Sequence, residues 1–327
     1  MSDKRLELAQ SIKDLKGLRR DVTCIVPFYG TTEEDLGRLR LTLASLKEQE
    51  YKIKHIIIID DGTPIHPNHY EDALWYGCEQ FQIIHNKERY GKARSMNEAL
   101  RFVTTDLLLI VDSDTAIYPD CLKELERHLV GGIVVTSATV VPRGLKTWIE
   151  RARYEIYQMW DAAYPNMING CAFLTYTNLL LNLPFDESSF VEDTFLALLI
   201  AEESDAMSLV TKPAVARTEE PKTVTHLVRQ LTRWKYGDFQ LSGNIIHKIL
   251  FLLLIPALLI NIVFGLGLFS PLAQMLSTLF WVGILLLPAG NLTRVGDEKL
   301  ALFLYGIFDT ISYFIALGYF AFGRKPQ

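Results

Sequence analysis

Two runs of apolar residues end directly on aspartates, and this pattern constrains the fold more than any other feature of the chain. Ile56 to Ile59 is followed by Asp60 and Asp61, and Leu107 to Val111 is followed by Asp112. Runs without alternation are typical of strands that are buried on both faces of a parallel sheet. Ligands of an open α/β sheet lie at the carboxyl ends of such strands. The sequence therefore predicts an α/β fold with a polar site at one edge of its sheet.

Further strands and helices are predicted around these two runs. Val22 to Val26 predicts a buried strand that stops at Pro27, because proline cannot donate to a strand ladder. Apolar residues at helical spacing predict helices, and unbroken apolar runs predict strands. The predicted helices are 36–46, 91–103, 148–160 and 193–201, and the further predicted strands are 133–141 and 171–176. The alternation indicates an α/β domain over residues 21–244.

The apolar residues, 49% of the chain, concentrate near the C-terminus. No charged residue occurs in 249–270 or 272–289, and 300–322 contains only Asp309. Helices of this length cross a hydrocarbon core of roughly 30 Å. We therefore expect a transmembrane region over 245–327 with about three helices, and a buried hairpin of core helices is the alternative.

Composition limits the compartment and the partners. Residues 1–20 carry leucines at helical spacing with basic residues between them, which predicts an amphipathic helix that packs on the domain or lies on a membrane. We expect no cleaved secretory signal, because the first turns are charged. The net charge of -5 disfavours nucleic acid as a partner. The cysteines lack metal-ligand spacing and are expected to be reduced in the cytosol; they are Cys24, Cys78, Cys121 and Cys171.

Asp112 and Asp114 are a candidate metal site. They are separated by one residue after a predicted strand, so their side chains point in similar directions. Carboxylates are hard oxygen ligands that suit Mg²⁺ or Mn²⁺. Such a cation would neutralise a departing diphosphate. An ordinary turn is the alternative for this spacing.

Asp61 and Lys92 are candidates for contacts to a nucleotide. Asp60 or Asp61 could accept hydrogen bonds from a nucleobase or ribose, or could instead cap its own turn beside Gly62. Lys92 lies at the predicted start of a helix, where free N–H groups and positive potential favour a diphosphate. A solvated lysine is the alternative.

Two later segments carry further candidates. Glu192 and Asp193 precede an apolar helix, and one of them could be a general base while the other caps the helix. Arg233 and Trp234 offer a cation for phosphate and a flat apolar face for a sugar ring. Both could instead be anchors at a membrane interface.

As an ordered set, these segments resemble the inverting nucleotide-sugar glycosyltransferases of family 2, which have the GT-A fold. The set is most similar to the membrane branch that contains cellulose, chitin and hyaluronan synthases, over residues 22–237. The resemblance implies that Asp193 is the catalytic base and that Asp112 and Asp114 bind Mg²⁺ or Mn²⁺. It assigns donor binding to Pro27, Tyr29, Asp61, Lys92 (with Asn97 in support), Asp112, Gln230, Arg233 and Trp234. It assigns acceptor binding to Asn169, Gly170, Glu192 and Trp234.

The resemblance implies a metal-dependent hexosyl- or N-acetylhexosaminyltransferase of polysaccharide synthesis, which moves a sugar from a UDP-sugar to a hydroxyl acceptor. Transfer of one sugar to a lipid acceptor, polyprenyl phosphate or glycerolipid, is an alternative, and a non-catalytic membrane scaffold is another. Nucleotide sugars are cytosolic, so we expect a multi-pass protein of the cell membrane with a cytosolic catalytic domain. Basic residues before the first predicted span agree with this orientation. The implied partners are the donor, a glycan or lipid-linked acceptor, membrane lipids and, as an open question, a second copy in a homo-oligomer.

Overall fold

The computed structural model describes residues 21–64, 80–203, 206–241, 297–321 and 325–326. The chain divides into two compact units, one formed by 1–143 and 156–219 and the other by 144–155 and 220–327. The predicted N-terminal helix, Cys78 and the predicted spans 249–270 and 272–289 lie outside the described residues.

The first unit contains a sheet of eight described strands. In chain order they are β1 (Val22–Phe28), β2 (His55–Asp60), β3 (Gln80–His85), β4 (Leu107–Val111), β5 (Thr115–Ile117), β6 (Ile133–Pro142), β7 (Ala172–Tyr176) and β8 (Met207–Thr218). Their order across the sheet is β3-β2-β1-β4-β7-β6-β8-β5. The strands β3, β2, β1 and β4 are neighbours in that order and all run parallel to one another. In the rest of the sheet, β7 is antiparallel to both β4 and β6, β8 is parallel to β6, and β5 is antiparallel to β8.

Most of the described helices lie between two strands in the chain. The helices are α1 (Glu33–Lys47), α2 (Lys92–Leu100), α3 (Cys121–His128), α4 (Trp148–Ala163), α5 (Thr177–Asn182), α6 (Glu192–Glu203), α7 (Val224–Leu241) and α8 (Asp297–Ala321). Every residue of β1, β2 and β4 is buried, which explains why these strands read as unbroken apolar runs. The predicted α/β fold is therefore present.

Pro27 does not stop β1 as the sequence predicts, because the strand continues to Phe28. On one side of β1, Pro27 pairs with Ile59 of β2. On the other side, the pairing of β1 with β4 ends at Ile25. The amide of Asp61 donates to the carbonyl of Phe28, so the peptide groups of Pro27 point away from β2. The missing N–H of Pro27 therefore falls beyond the last residue pair of the ladder between β1 and β4.

In the second unit, α7 packs against α8. The rings of Phe239 and Tyr313 lie 5.2 Å apart, and Lys235 Nζ lies 3.5 Å from Asp309 Oδ1. The helix α8 covers most of the predicted span 300–322. Within the described residues, no helix has both the length and the apolarity needed to cross a membrane.

Candidate active site

The carboxyl ends of β2, β1 and β4 place three of the predicted segments side by side. These strands are neighbours and run parallel, so Asp61, Tyr29 and Asp112 follow strands that end at the same edge of the sheet. The prediction of a polar edge from the two apolar runs is thus confirmed.

Lys92, the first residue of α2, connects two of the acidic segments. Its Nζ lies 2.8 Å from Asp112 Oδ1 and 2.9 Å from Glu192 Oε1, and its side chain is 33% exposed. Burial alone would lower the pKa of Lys92, but the charges of Asp112 and Glu192 outweigh it and hold the pKa well above its usual value. A permanent cation therefore lies between the two carboxylates, at a helix N-terminus suited to anions.

Hydrogen bonds to the backbone hold the turn from Asp112 to Asp114. The amide of Asp112 donates to the carbonyl of Cys171 at 2.9 Å. The hydroxyl of Thr42 donates to the carbonyl of Ser113 at 3.0 Å, and Arg143 Nη2 donates to the carbonyl of Asp114 at 3.0 Å. These hydrogen bonds use only backbone atoms of the turn, so the side-chain carboxylates of Asp112 and Asp114 can bind other groups.

The Asp112 and Asp114 pair fits a divalent cation chemically. Burial, and next the charge of Asp112, raise the pKa of Asp114 to about 6. A cation beside the pair would relieve this repulsion and favour the ionised carboxylate. The described residues contain no cluster of three or more metal-ligating side chains, so these two acids would need further oxygens from a bound ligand or water.

Asp193, the second residue of α6, is held from two sides. Its Oδ2 accepts a hydrogen bond from the amide of Gly170 at 2.9 Å, and its Oδ1 accepts one from the amide of Thr194 at 2.7 Å. Burial, and next the charge of Glu192, raise the pKa of Asp193 to about 6. A carboxylate with a raised pKa in a fixed orientation is well suited to accept a proton near neutral pH.

Gly170 is needed for the position of Asp193. A Cβ at Gly170 would lie 2.3 Å from Asp193 Oδ2 and 2.8 Å from its Cγ. The resemblance assigns Gly170 to acceptor binding, and the structure gives this glycine a second role, because its missing side chain lets the loop amide reach the carboxylate of Asp193.

We predict that Gly170→Ala lowers turnover strongly, by about 10²-fold, because Asp193 or the loop must move and the hydrogen bond between them is lost. Steady-state kinetics would measure kcat, and thermal unfolding would show whether the variant remains folded. Gly37→Ala is a matched control, since a Cβ at Gly37 in α1 meets nothing within 4 Å. Equal activity of the Gly170→Ala variant and the wild type would show that the contact is unimportant.

We also predict that kcat/KM falls as the pH decreases through about 6, because the raised pKa of Asp193 means that its carboxyl group is protonated below that value in the enzyme without substrate. A protonated carboxyl group cannot accept the proton of an acceptor, so activity is retained above this pH and lost below it. The pH profile of kcat/KM, measured at substrate concentrations well below KM, tests this. Activity that stays constant down to pH 4.5 would assign the base to another group.

Asp60 and Asp61 are both engaged within the protein. Asp61 accepts hydrogen bonds from the amides of Tyr90 and Gly91 at 2.7 and 2.9 Å and from Ser95 Oγ at 2.8 Å. Asp60 Oδ2 lies 2.8 Å from His85 Nδ1. Asp61 therefore orients the backbone just before Lys92, and its predicted contact to a nucleotide stays a prediction.

The two predicted asparagines support loops. Asn169 Nδ2 donates to the carbonyl of Ala138 at 2.8 Å and to Asp161 Oδ1 at 3.1 Å. Asn97 Nδ2 donates to the carbonyl of Phe185 at 2.9 Å, and its Oδ1 accepts from the amide of Phe185 at 3.0 Å. Asn169 thus holds the loop that leads to Gly170, and Asn97 holds the loop that leads to α6. The sequence did not indicate either of these structural roles.

Tyr29 is partly exposed at the end of β1. Its side chain is 38% exposed, and the guanidinium of Arg89 lies 4.1 Å from the centre of its ring. An exposed ring beside a cation is suited to stacking with a flat, electron-poor group. The predicted contacts of Pro27 and Tyr29 to uridine stay predictions.

Within the second unit, Gln230, Arg233 and Trp234 all lie on α7. Arg233 is exposed and Trp234 is partly buried. Gln230 Oε1 accepts a hydrogen bond from Arg153 Nη2, and the guanidinium of Arg153 lies 4.5 Å from the centre of the Trp234 ring. Sequence reasoning missed Arg153, because a lone arginine in a helix reads as a surface residue.

The α/β architecture, with acids and a lysine at one edge of its sheet, agrees with an enzyme of the sugar-transferring class. A model described as glycosyl transferase family 2 matches residues 23–186, and one described as glycosyl transferase family group 2 matches 107–293. The chain belongs to family 2 of the glycosyltransferases, as the resemblance predicts. It is therefore a glycosyltransferase.

Similar proteins agree with this family. An N-acetylglucosaminyltransferase from Sinorhizobium fredii is 27% identical in an alignment of 324 positions that covers 86% of this chain and 74% of that protein. Another, from Rhizobium sp. (strain N33), is 28% identical, and the match covers 71% of this chain but only 56% of that protein. A hyaluronan synthase from Streptococcus pyogenes is 30% identical over 128 residues, which cover 37% of this chain and 30% of that protein.

The fold has a solved counterpart. A mannosyltransferase from Pyrobaculum calidifontis, determined in complex with GDP-Man and Mn²⁺, superimposes with a TM-score of 0.62 at 17% sequence identity. The match covers 95% of this chain and 94% of that one. At this identity the likeness establishes the GT-A fold.

Proposed function

We propose that this protein is an inverting glycosyltransferase that moves a sugar from a UDP-sugar to a hydroxyl group of a glycan acceptor. The observation that carries the proposal is the geometry of Asp193, a carboxylate of raised pKa that two backbone amides orient. Its neighbour Glu192 is bound to Lys92, which leaves Asp193 as the better candidate for the base. In a single displacement, Asp193 accepts the proton of the acceptor hydroxyl while that oxygen bonds to the anomeric carbon and the nucleoside diphosphate departs.

Lys92 is proposed to bind the diphosphate of the donor. Its Nζ is shared by two carboxylates, Asp112 and Glu192, and a diphosphate would offer it oxygens of higher charge. The N–H groups at the start of α2 add positive potential at the same place. Lys92 would thus bind the leaving group and stabilise it as its charge grows.

Asp112 and Asp114 are proposed to hold a divalent cation, Mg²⁺ or Mn²⁺. When bound, the cation would neutralise charge on the departing diphosphate. The turn that carries both acids is anchored through the carbonyls of Ser113 and Asp114, so the backbone from which the two carboxylates project is held before a ligand arrives. Pro27, Tyr29 and Asp61 complete the proposed donor site on the nucleoside side.

N-acetylglucosamine is the sugar we propose first. The similar proteins from Sinorhizobium fredii and Rhizobium sp. are described as N-acetylglucosaminyltransferases. The similar hyaluronan synthase supports an extending polysaccharide as product. The acceptor is proposed to approach Asp193 past Asn169, Gly170 and Glu192.

The test is to incubate the detergent-purified full chain with a panel of nucleotide sugars and Mn²⁺ or Mg²⁺, and to weigh the products by mass spectrometry. We expect consumption of UDP-N-acetylglucosamine, release of UDP and a ladder of products that differ by one sugar. A product with one added sugar would favour the lipid acceptor. No consumption of any nucleotide sugar would contradict the proposal and favour a non-catalytic scaffold.

We further propose that the protein is bound to the cell membrane with its catalytic domain in the cytosol. The charge-free stretches 249–270 and 272–289 and the basic residues before them support this placement. Retention in the membrane fraction after an alkaline carbonate wash tests the anchoring. Release into the supernatant would contradict it.

A further inference from the structure

Arg153 is the largest fully buried side chain among the described residues, with 0% of its surface exposed. It lies on α4, and its neighbours within the second unit come from three other places in the chain. They are Gln230 and Trp234 on α7, Glu220 just before α7, and Tyr305 on α8. A buried guanidinium thus contacts two of the three residues that the resemblance assigns to donor binding on α7.

Stability alone does not account for this arginine. Glu220 Oε2 lies 3.3 Å from Arg153 Nε, and its side chain is only 1% exposed, so both charges are removed from water. Desolvation offsets most of the attraction in such a pair, and apolar residues of similar size can often replace it without loss of stability. The guanidinium therefore has to be explained by what it orients.

Arg153 fixes which end of the Gln230 amide faces it. A guanidinium has only donors, so the atom of Gln230 that meets it must be the amide oxygen. The NH₂ group of Gln230 is then the end that can donate to another group. The same guanidinium stacks on the Trp234 ring at 4.5 Å, and Gln230 and Trp234 are four residues apart on one face of α7.

We propose that Arg153 is a positioning residue for the donor-binding segment of α7. It holds Gln230 with its NH₂ group turned away from the guanidinium, where that group can donate to a ligand, and it holds the Trp234 ring in place. This inference rests on the proposed function, with Gln230 and Trp234 in the donor-binding role that the family resemblance implies for them.

The first test is Arg153→Lys in the full chain. Lysine keeps a positive charge for Glu220 but lacks the planar fork that meets Gln230 and Trp234 together. We expect thermal unfolding close to that of the wild type and an increase of KM for the donor on the order of tenfold. Tyr305→Phe is the control, because it keeps the ring beside Arg153 and should leave both KM and kcat unchanged.

The second test is a double-mutant cycle with Gln230→Ala. If Arg153 acts through Gln230, Arg153→Lys should raise the KM for the donor by a smaller factor in the Gln230→Ala background than in the wild type, because only its effect through Trp234 remains. If Arg153 only supports the fold, the two effects should add. Arg153→Met completes the series, because it removes the cation and allows the Gln230 amide to turn over.

The outcomes separate this inference from the proposed function. A wild type that consumes no nucleotide sugar would refute the proposed function and the inference with it. An active wild type whose Arg153→Lys variant keeps its KM for the donor would overturn the inference alone. Additive effects in the cycle, or a loss that follows the unfolded fraction, would overturn it as well.

Discussion

Asp193→Asn is expected to reduce turnover by at least about 10²-fold while the variant still binds UDP. The amide keeps the shape of the side chain, and its oxygen can still accept one of the hydrogen bonds from Gly170 and Thr194. It cannot accept the proton of an acceptor hydroxyl, so the chemical step loses its base. Initial rates at saturating donor measure the effect, and isothermal titration with UDP measures retained binding.

Glu192→Gln separates the two neighbouring acids. Glu192 Oε1 is 2.9 Å from Lys92 Nζ, so this change should weaken donor binding more than it slows the chemical step. We therefore expect a higher KM for the donor in Glu192→Gln and a lower kcat in Asp193→Asn. The opposite pattern would identify Glu192 as the base.

Asp114→Asn, or removal of divalent cations with a chelator, is expected to abolish transfer. Asp112 and Asp114 are the acids of the anchored turn, and burial beside Asp112 raises the pKa of Asp114 to about 6. An amide at this position would coordinate a cation far more weakly than a carboxylate does. The rate should return when Mn²⁺ or Mg²⁺ is added back to the chelated wild type, but not when it is added to the variant.

Asp120→Asn is the matched control for the metal prediction. Asp120 is exposed, follows β5 by three residues and makes no capping hydrogen bond to α3 through its side chain. Its variant should keep wild-type activity and the same dependence on cation concentration. Full activity of Asp114→Asn in the absence of divalent cations would refute the role of the metal.

The sequence predicts the parts of this fold in which local pattern and burial agree. Every residue of β2 and β4 is buried, so their unbroken apolar runs were sufficient to predict the ends of both strands within one residue. β8 was missed because its twelve residues include Lys212 and Pro213, which do not read as a strand. The structure places both in a register shift between Ala138 and Thr139, where the ladder with β6 skips residues 212–214.

The order of the strands could not be read from the chain. β7 lies between β4 and β6 and antiparallel to both, although it follows them in sequence by some distance. Local periodicity contains no information on such pairings, because they depend on which surfaces remain to be covered once the first strands have packed. β5, with three residues, is too short to give a periodic signal at all.

In the candidate site, too, the sequence indicated what local pattern can show and missed what depends on distant partners. Asp112, Lys92, Glu192 and Asp193 were predicted as residue types with a chemical purpose, and the structure brings them together. The roles of Asn97, Asn169 and Arg153 depend on partners more than 20 residues away or on a loop fold, so no local pattern indicates them. Gly170 was identified, but its contact with Asp193 became visible only when both loops were in place.

The most direct test of the account is the anomeric configuration of the transferred sugar, measured by proton NMR on the product formed from an α-linked UDP-sugar. A single displacement assisted by Asp193 predicts a β-linked product. An α-linked product would mean retention of configuration and would contradict the mechanism.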